Sequence, residues 1–114
     1  MIGSVVGGLL GPLLFSQLLF AAGPDLDRGK RIWTTSCIQC HNKDPNVKGP
    51  IGPEVVDAPY EVMYAKVMTG RYPEKLPAGY KPKRTTKAMR KLPQLEKDIP
   101  SIYAWVQSVK KKKK

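Results

Sequence analysis

The chain has 114 residues, a formal net charge of +11 at neutral pH, 11 prolines and 10 glycines. That length accommodates one small domain, and a core of this size is commonly supplemented by a cofactor, a metal or a disulfide. Two cysteines separated by two residues exclude a disulfide framework, because a bridge across so tight a loop barely constrains a fold.

The first segment, Ile2 to Gly23, carries no charged side chain and is apolar apart from Ser4, Ser16 and Gln17. Roughly 20 such residues cross a bilayer core as a helix, so residues 1–23 are expected to form an apolar helix. Two readings are open, a signal peptide or a transmembrane anchor. No Lys or Arg marks the start, and the small-x-small run Ala21-Ala22-Gly23 is followed by Pro24, which is unfavourable for cleavage. Either reading exports the remainder, a basic domain of residues 24–109 with a lysine tail at 110–114.

Three helices are expected in that domain. The first runs from about Leu26 to Cys37, with Asp25 as N-cap and Asp27 near the positive helix end. Leu26, Gly29, Trp33 and Cys37 recur at helical spacing and define one face. The second spans about Pro59 to Met68: Pro59 suits a first turn, Gly70 lies past the end, and Val62, Tyr64, Val67 and Met68 supply apolar surface. The third spans about Ile99 to Lys110, with Asp98 as N-cap and an apolar stripe of Ile99, Ile102, Val106 and Val109. The C-terminal lysines complement its dipole. The stretches Asn42–Val56 and Arg71–Leu95 read as long Pro-punctuated loops, so the fold class is all-α.

Cys37-Ile38-Gln39-Cys40-His41 is the Cys-x-x-Cys-His pattern of covalent haem attachment. Two thiols three residues apart near a helix end can reach the two vinyl groups of one porphyrin, and the next imidazole then falls over the iron. A thioredoxin-type pair would want a βαβ context, and a closed zinc site needs four ligands where Cys37, Cys40 and His41 supply three. His41 is the only histidine, which excludes a second histidine ligand from the same chain. Methionine is the natural second axial ligand. Met63 and Met68 fall inside the second helix, where core packing is their ordinary role. Met1 is remote, and Met89 stands in a loop before the last helix. Met89 is therefore the expected ligand, with a lysine ligand or an open iron as the alternatives.

From Pro24 onward the chain resembles the class I cytochrome c family. Gly29 and Trp33 stand ahead of the haem motif where that family has a glycine and an aromatic residue, and Gly52-Pro53-Glu54-Val55 occupies the place of its Gly-Pro turn. Met89-Arg90-Lys91-Leu92-Pro93 is similar to its methionine loop, with Arg90 where proline is common. The resemblance implies a cytochrome c fold: three main helices and long loops around one covalent haem c. It implies that the Pro53 carbonyl orients His41, with Pro50 in the duplicate Gly49-Pro50 as the alternative. It also implies that the last helix packs on the first through Ile102, Trp105 and Val106, with Gly29 permitting the close crossing.

The function expected is single-electron transfer through a His41/Met89-ligated haem c tethered by Cys37 and Cys40, with no enzymatic acid, base or nucleophile. The location implied is the periplasmic side of a bacterial inner membrane when the apolar helix is retained, or the soluble periplasm when it is cleaved. Lys81, Lys83, Arg84, Lys87, Arg90 and Lys91 crowd the loop around Met89, which suits acidic redox partner proteins rather than nucleic acid. Tyr72, Tyr80 and Arg84 are candidates to bind haem propionates. Two other readings are a small-ligand sensor or enzyme with an open iron, and a structural cytochrome subunit of a membrane complex.

Overall fold

The computed structural model describes residues 23–85 and 88–112. The apolar helix expected at residues 1–23 lies outside them except for Gly23. Among the described residues no helix is long and apolar enough to cross a membrane. The architecture is all-α, with three helices and no strand among the described residues.

Helix α1, Leu26–Ile32, starts where Asp25 accepts a hydrogen bond from the Arg28 backbone N–H at 3.1 Å. It continues without a break into a π-helical segment, Trp33–Cys37. The widening has a local cause. Thr34 and Thr35 hydroxyls donate to the Lys30 and Arg31 carbonyls at 2.6 and 2.9 Å, taking up lone pairs of the helical ladder. Helix α2, Tyr60–Thr69, begins after Pro59 and ends at Gly70, whose φ of 76° is the left-handed conformation that stops a helix. Helix α3, Ile99–Ser108, follows directly on a 3₁₀ segment, Pro93–Asp98, that lies partly in a stretch expected to be irregular.

The first and last helices cross face to face. Gly29 sits against the backbone of Ser101, where any Cβ would fall on the Ser101 carbonyl. The Asp25 N–H donates to Ser101 Oγ at 2.9 Å, and Arg28 pairs with Asp98 at 2.7 Å, so the crossing is pinned on both sides. Ile99 and Val106 are wholly buried behind it, with Trp33, Val56, Met63, Val67 and Ile102 completing the core. Each fully buried aliphatic or aromatic side chain contributes about 1.5–3 kcal/mol relative to exposure.

Several local expectations are corrected. Leu26 is exposed, because α1 meets α3 and the residue before it through Asp25, Arg28 and Gly29, and Leu26 lies off that line of contact. Tyr64 is also exposed and donates its hydroxyl to Glu96 instead of joining the core. Asp98 makes no side-chain cap; its carboxylate is turned to Arg28, and its backbone is already helical at the end of the 3₁₀ segment. Helix α3 stops at Ser108, two residues short of the expected Lys110. Asn46 donates to the Val109 carbonyl at 2.9 Å, and its own side-chain oxygen accepts from the Lys111 N–H at 2.9 Å. Lys110 and Lys111 then pair with Asp57 and Asp44, so these two lysines serve loop carboxylates.

Candidate functional site

The π-helical segment ends at Cys37, and the chain folds back at once. The Cys40 and His41 N–H groups both donate to the Cys37 carbonyl, at 3.4 and 3.0 Å. That turn brings Cys37, Cys40 and His41 to one wall of a cleft. Both thiols are free. The Trp33 ring packs 5.6 Å from the His41 ring, and its Nε1–H donates to the Lys43 carbonyl at 3.1 Å.

A compact turn holds the other side of His41. The Ile51 and Gly52 N–H groups donate to the Cys40 carbonyl at 3.2 and 2.8 Å, and Gly49 N–H donates to the Gly52 carbonyl at 2.9 Å. Gly52 lies flat against the imidazole, where a Cβ would come within 2.6 Å of Nδ1. The Pro53 carbonyl is 2.9 Å from Nδ1. A carbonyl only accepts, so Nδ1 carries the proton and the lone pair is left on Nε2. Pro53, not Pro50, supplies this carbonyl.

Burial pushes the His41 pKa below the ordinary imidazole value; the Pro53 bond opposes this, and the Lys66 charge adds to the lowering. Burial and the Lys66 charge thus favour the neutral ring, the form a metal ligand needs. Burial also pushes the Cys37 thiol up to about 11.

Met89 lines the same cleft and is half-buried. Its loop lies across the end of α2: the Met89 carbonyl packs where a side chain at Gly70 would be, and Leu92 N–H donates to the Val67 carbonyl at 2.7 Å. Cys37, Cys40, His41, Pro53 and Met89 thus share one cleft, whose remaining wall is mainly apolar through Val55, Val62, Val67, Leu92 and Ile102. Met63, expected only to fill the core, is buried and also lines the cleft, which places a second thioether there. Met68 packs against the core from outside.

The set fits a covalently attached haem. It combines two thiols, a neutral imidazole with Nε2 available, a thioether and an apolar wall, with Gly52 leaving the imidazole room beside the turn. Among the described residues no group of three or more His, Cys, Asp and Glu side chains converges as a metal site.

The basic loop is partly committed to internal contacts. Lys83 pairs with Glu54 at 3.1 Å and Asp57 at 3.7 Å. The Arg84 guanidinium donates to the Gly49 and Gly52 carbonyls at 2.7 and 3.1 Å, and the Tyr72 hydroxyl bridges the Lys83 backbone carbonyl and N–H. Burial pushes the Tyr80 phenol up to about 12. Lys81, Arg90 and Lys91 are exposed, and Lys87 lies outside the described residues. The Arg84 and Met63 roles have no local sequence signature, since both depend on which distant backbone comes alongside. No family model, curated protein or solved structure matches the chain.

Proposed function

We propose that this chain is a monohaem c-type cytochrome with the class I cytochrome c fold, acting as a single-electron carrier. The observation that carries the reading is the convergence of Cys37, Cys40, His41 and Met89 on one apolar cleft, with the His41 imidazole oriented by the Pro53 carbonyl. Cys37 and Cys40 would tether haem c, and His41 and Met89 would ligate its iron. Bound there, the haem supplies a one-electron couple, and a histidine–methionine pair raises its potential relative to many other ligations.

The chain's own residues set the conditions. Trp33, Val62, Val67 and Ile102 keep water from the cleft. Pro53 holds the Nδ1 proton and makes the opposite nitrogen the better donor. Lys81, Arg90 and Lys91 give the Met89 side of the molecule positive charge, suited to acidic redox partners on the periplasmic side of a membrane. No residue is required to act as acid, base or nucleophile.

The test is made on protein purified from a host that attaches haem. Intact mass should exceed the polypeptide mass by one haem, and the ferric spectrum should show methionine-to-iron absorption that Met89→Ala abolishes and Met63→Leu leaves in place. Absence of attached haem sinks the reading. Free binding of carbon monoxide by the wild type, without displacement of a protein ligand, transfers it to a ligand-binding class.

A further inference from the structure

We infer that Arg84 is a positioning residue for His41, acting through the turn Gly49–Gly52 and the Pro53 carbonyl. The inference rests on the haem reading of the cleft and adds to it a residue that couples the Met89 loop to the histidine side.

Arg84 is separated from the turn by more than thirty residues of chain. Its Nη1 nevertheless donates to both carbonyls that close the turn, Gly49 at 2.7 Å and Gly52 at 3.1 Å. The turn has little freedom left. Its N–H groups are spent on the Cys40 carbonyl and on its own Gly52 carbonyl, Gly49 has no room for a Cβ beside Cys40, and Gly52 touches the imidazole. The next residue, Pro53, offers its carbonyl to Nδ1. Displacement of Gly52 therefore moves the acceptor that sets the His41 tautomer and ring orientation.

A second observation is independent of these bonds. Arg84 is the only non-glycine residue with positive φ among the described residues, at 50°. An L-residue held in the left-handed region costs energy that its surroundings must offset, and such residues concentrate where geometry matters to function. The Tyr72 hydroxyl secures the bend from beneath by accepting from the Lys83 N–H and donating to the Lys83 carbonyl. Lys83 itself is tied to Glu54, one residue past Pro53. A guanidinium suits this task because both N–H bonds of Nη1 are fixed in its plane, whereas an ammonium is a point charge on a flexible stem.

The discriminating variant is Arg84→Lys, which keeps the charge and the same backbone preference but loses the planar pair of N–H donors on Nη1. Three quantities are read on purified holoprotein: haem mass, reduction potential, and the rate at which the His41 Nδ1 proton exchanges with solvent, followed by NMR. Haem attachment should be unchanged. Exchange should quicken about tenfold, the factor for loss of one hydrogen bond's worth of restraint. The potential should rise, because a weaker Nδ1–H bond makes the imidazole a poorer donor to the oxidised iron. A variant with haem attached and both exchange and potential unchanged overturns the inference. Wild type without haem overturns the function instead, so the two failures are distinct. If Arg84→Lys does not accumulate, Tyr72→Phe, which releases the Lys83 backbone together with the Tyr80 hydroxyl, must give both shifts at smaller size; their absence overturns the inference equally.

Discussion

The crossing of α1 and α3 is decided by Gly29, and Gly29→Ala measures how tightly. The added Cβ falls on the Ser101 carbonyl oxygen and close to the Ser101 carbonyl carbon. These are backbone atoms inside a helix, so relief requires the helices to move apart. Inserting a methyl into a well-packed contact costs about 1–3 kcal/mol, and a backbone obstacle belongs at the upper end. Parting the helices also lengthens the Asp25 to Ser101 Oγ bond of 2.9 Å, a loss of about 1 kcal/mol. Alanine regains roughly 1 kcal/mol over glycine in helix propensity. The net is a loss of about 3 kcal/mol, or a fall in Tm of roughly 12–24 °C for a domain of this size. Thermal melts of holoprotein followed by far-ultraviolet circular dichroism read it directly. Gly23→Ala is the control, since nothing lies within 4 Å of a Cβ there. A Gly29→Ala protein as stable as wild type, or stabilised by the propensity gain alone, would refute the close crossing.

Asp98 gives a pH signature. Arg28 holds its carboxyl below the usual value of 3.8 through a side-chain hydrogen bond. The stabilisation is therefore present above the ordinary carboxylate pKa and is lost as pH falls below 3.8 towards the lowered one. Asp98→Asn should flatten the urea midpoint between pH 5 and the acid limb; an unchanged slope counts against the pair. Trp33→Phe removes buried volume and leaves the Lys43 carbonyl without its Nε1–H donor, for a loss of about 2 kcal/mol in denaturant unfolding. An unchanged midpoint would show that the indole is not locked in place. Asn46→Ala should release the Val109 carbonyl and the Lys111 N–H together. Hydrogen exchange should then quicken at Lys111 and in the last turn of α3, while α1 keeps its protection; uniform change would assign the residue to global stability instead.

What was legible in the sequence was local. Asp25 ahead of an apolar repeat, Pro59 before α2, Gly70 after it and the stripe Ile99, Ile102 and Val106 each express a short-range rule, and helices form at those places. The haem pentapeptide is likewise a contiguous signal. Less legible were choices between two partners for one group. Asp98 has the composition of an N-cap, but a guanidinium seventy residues away competes for its carboxylate and takes it. Leu26 continues the helical spacing of the buried face, yet the contacts across the crossing are made by Asp25, Arg28 and Gly29 and leave it exposed. Arg84 sits in a run of positive charge that reads as a docking surface, or as a propionate ligand, until the Gly49–Gly52 turn is alongside. The π-helical segment needed the two adjacent threonines to be read as competitors for backbone carbonyls, not merely as poor helix formers.

The contact between Asp25 and Ser101 joins residues 76 apart in sequence. A chain made from its amino terminus therefore completes α1, the π-helical segment and the Cys37–His41 turn long before the helix that covers them exists. Closing so long a loop is a late and entropically costly event. Until α3 emerges, the apolar face of α1 has no mate and the two thiols stand on an open turn. The crossing at Gly29 thus orders assembly: the Cys37–His41 turn is made first, and the helix that packs against α1 comes last.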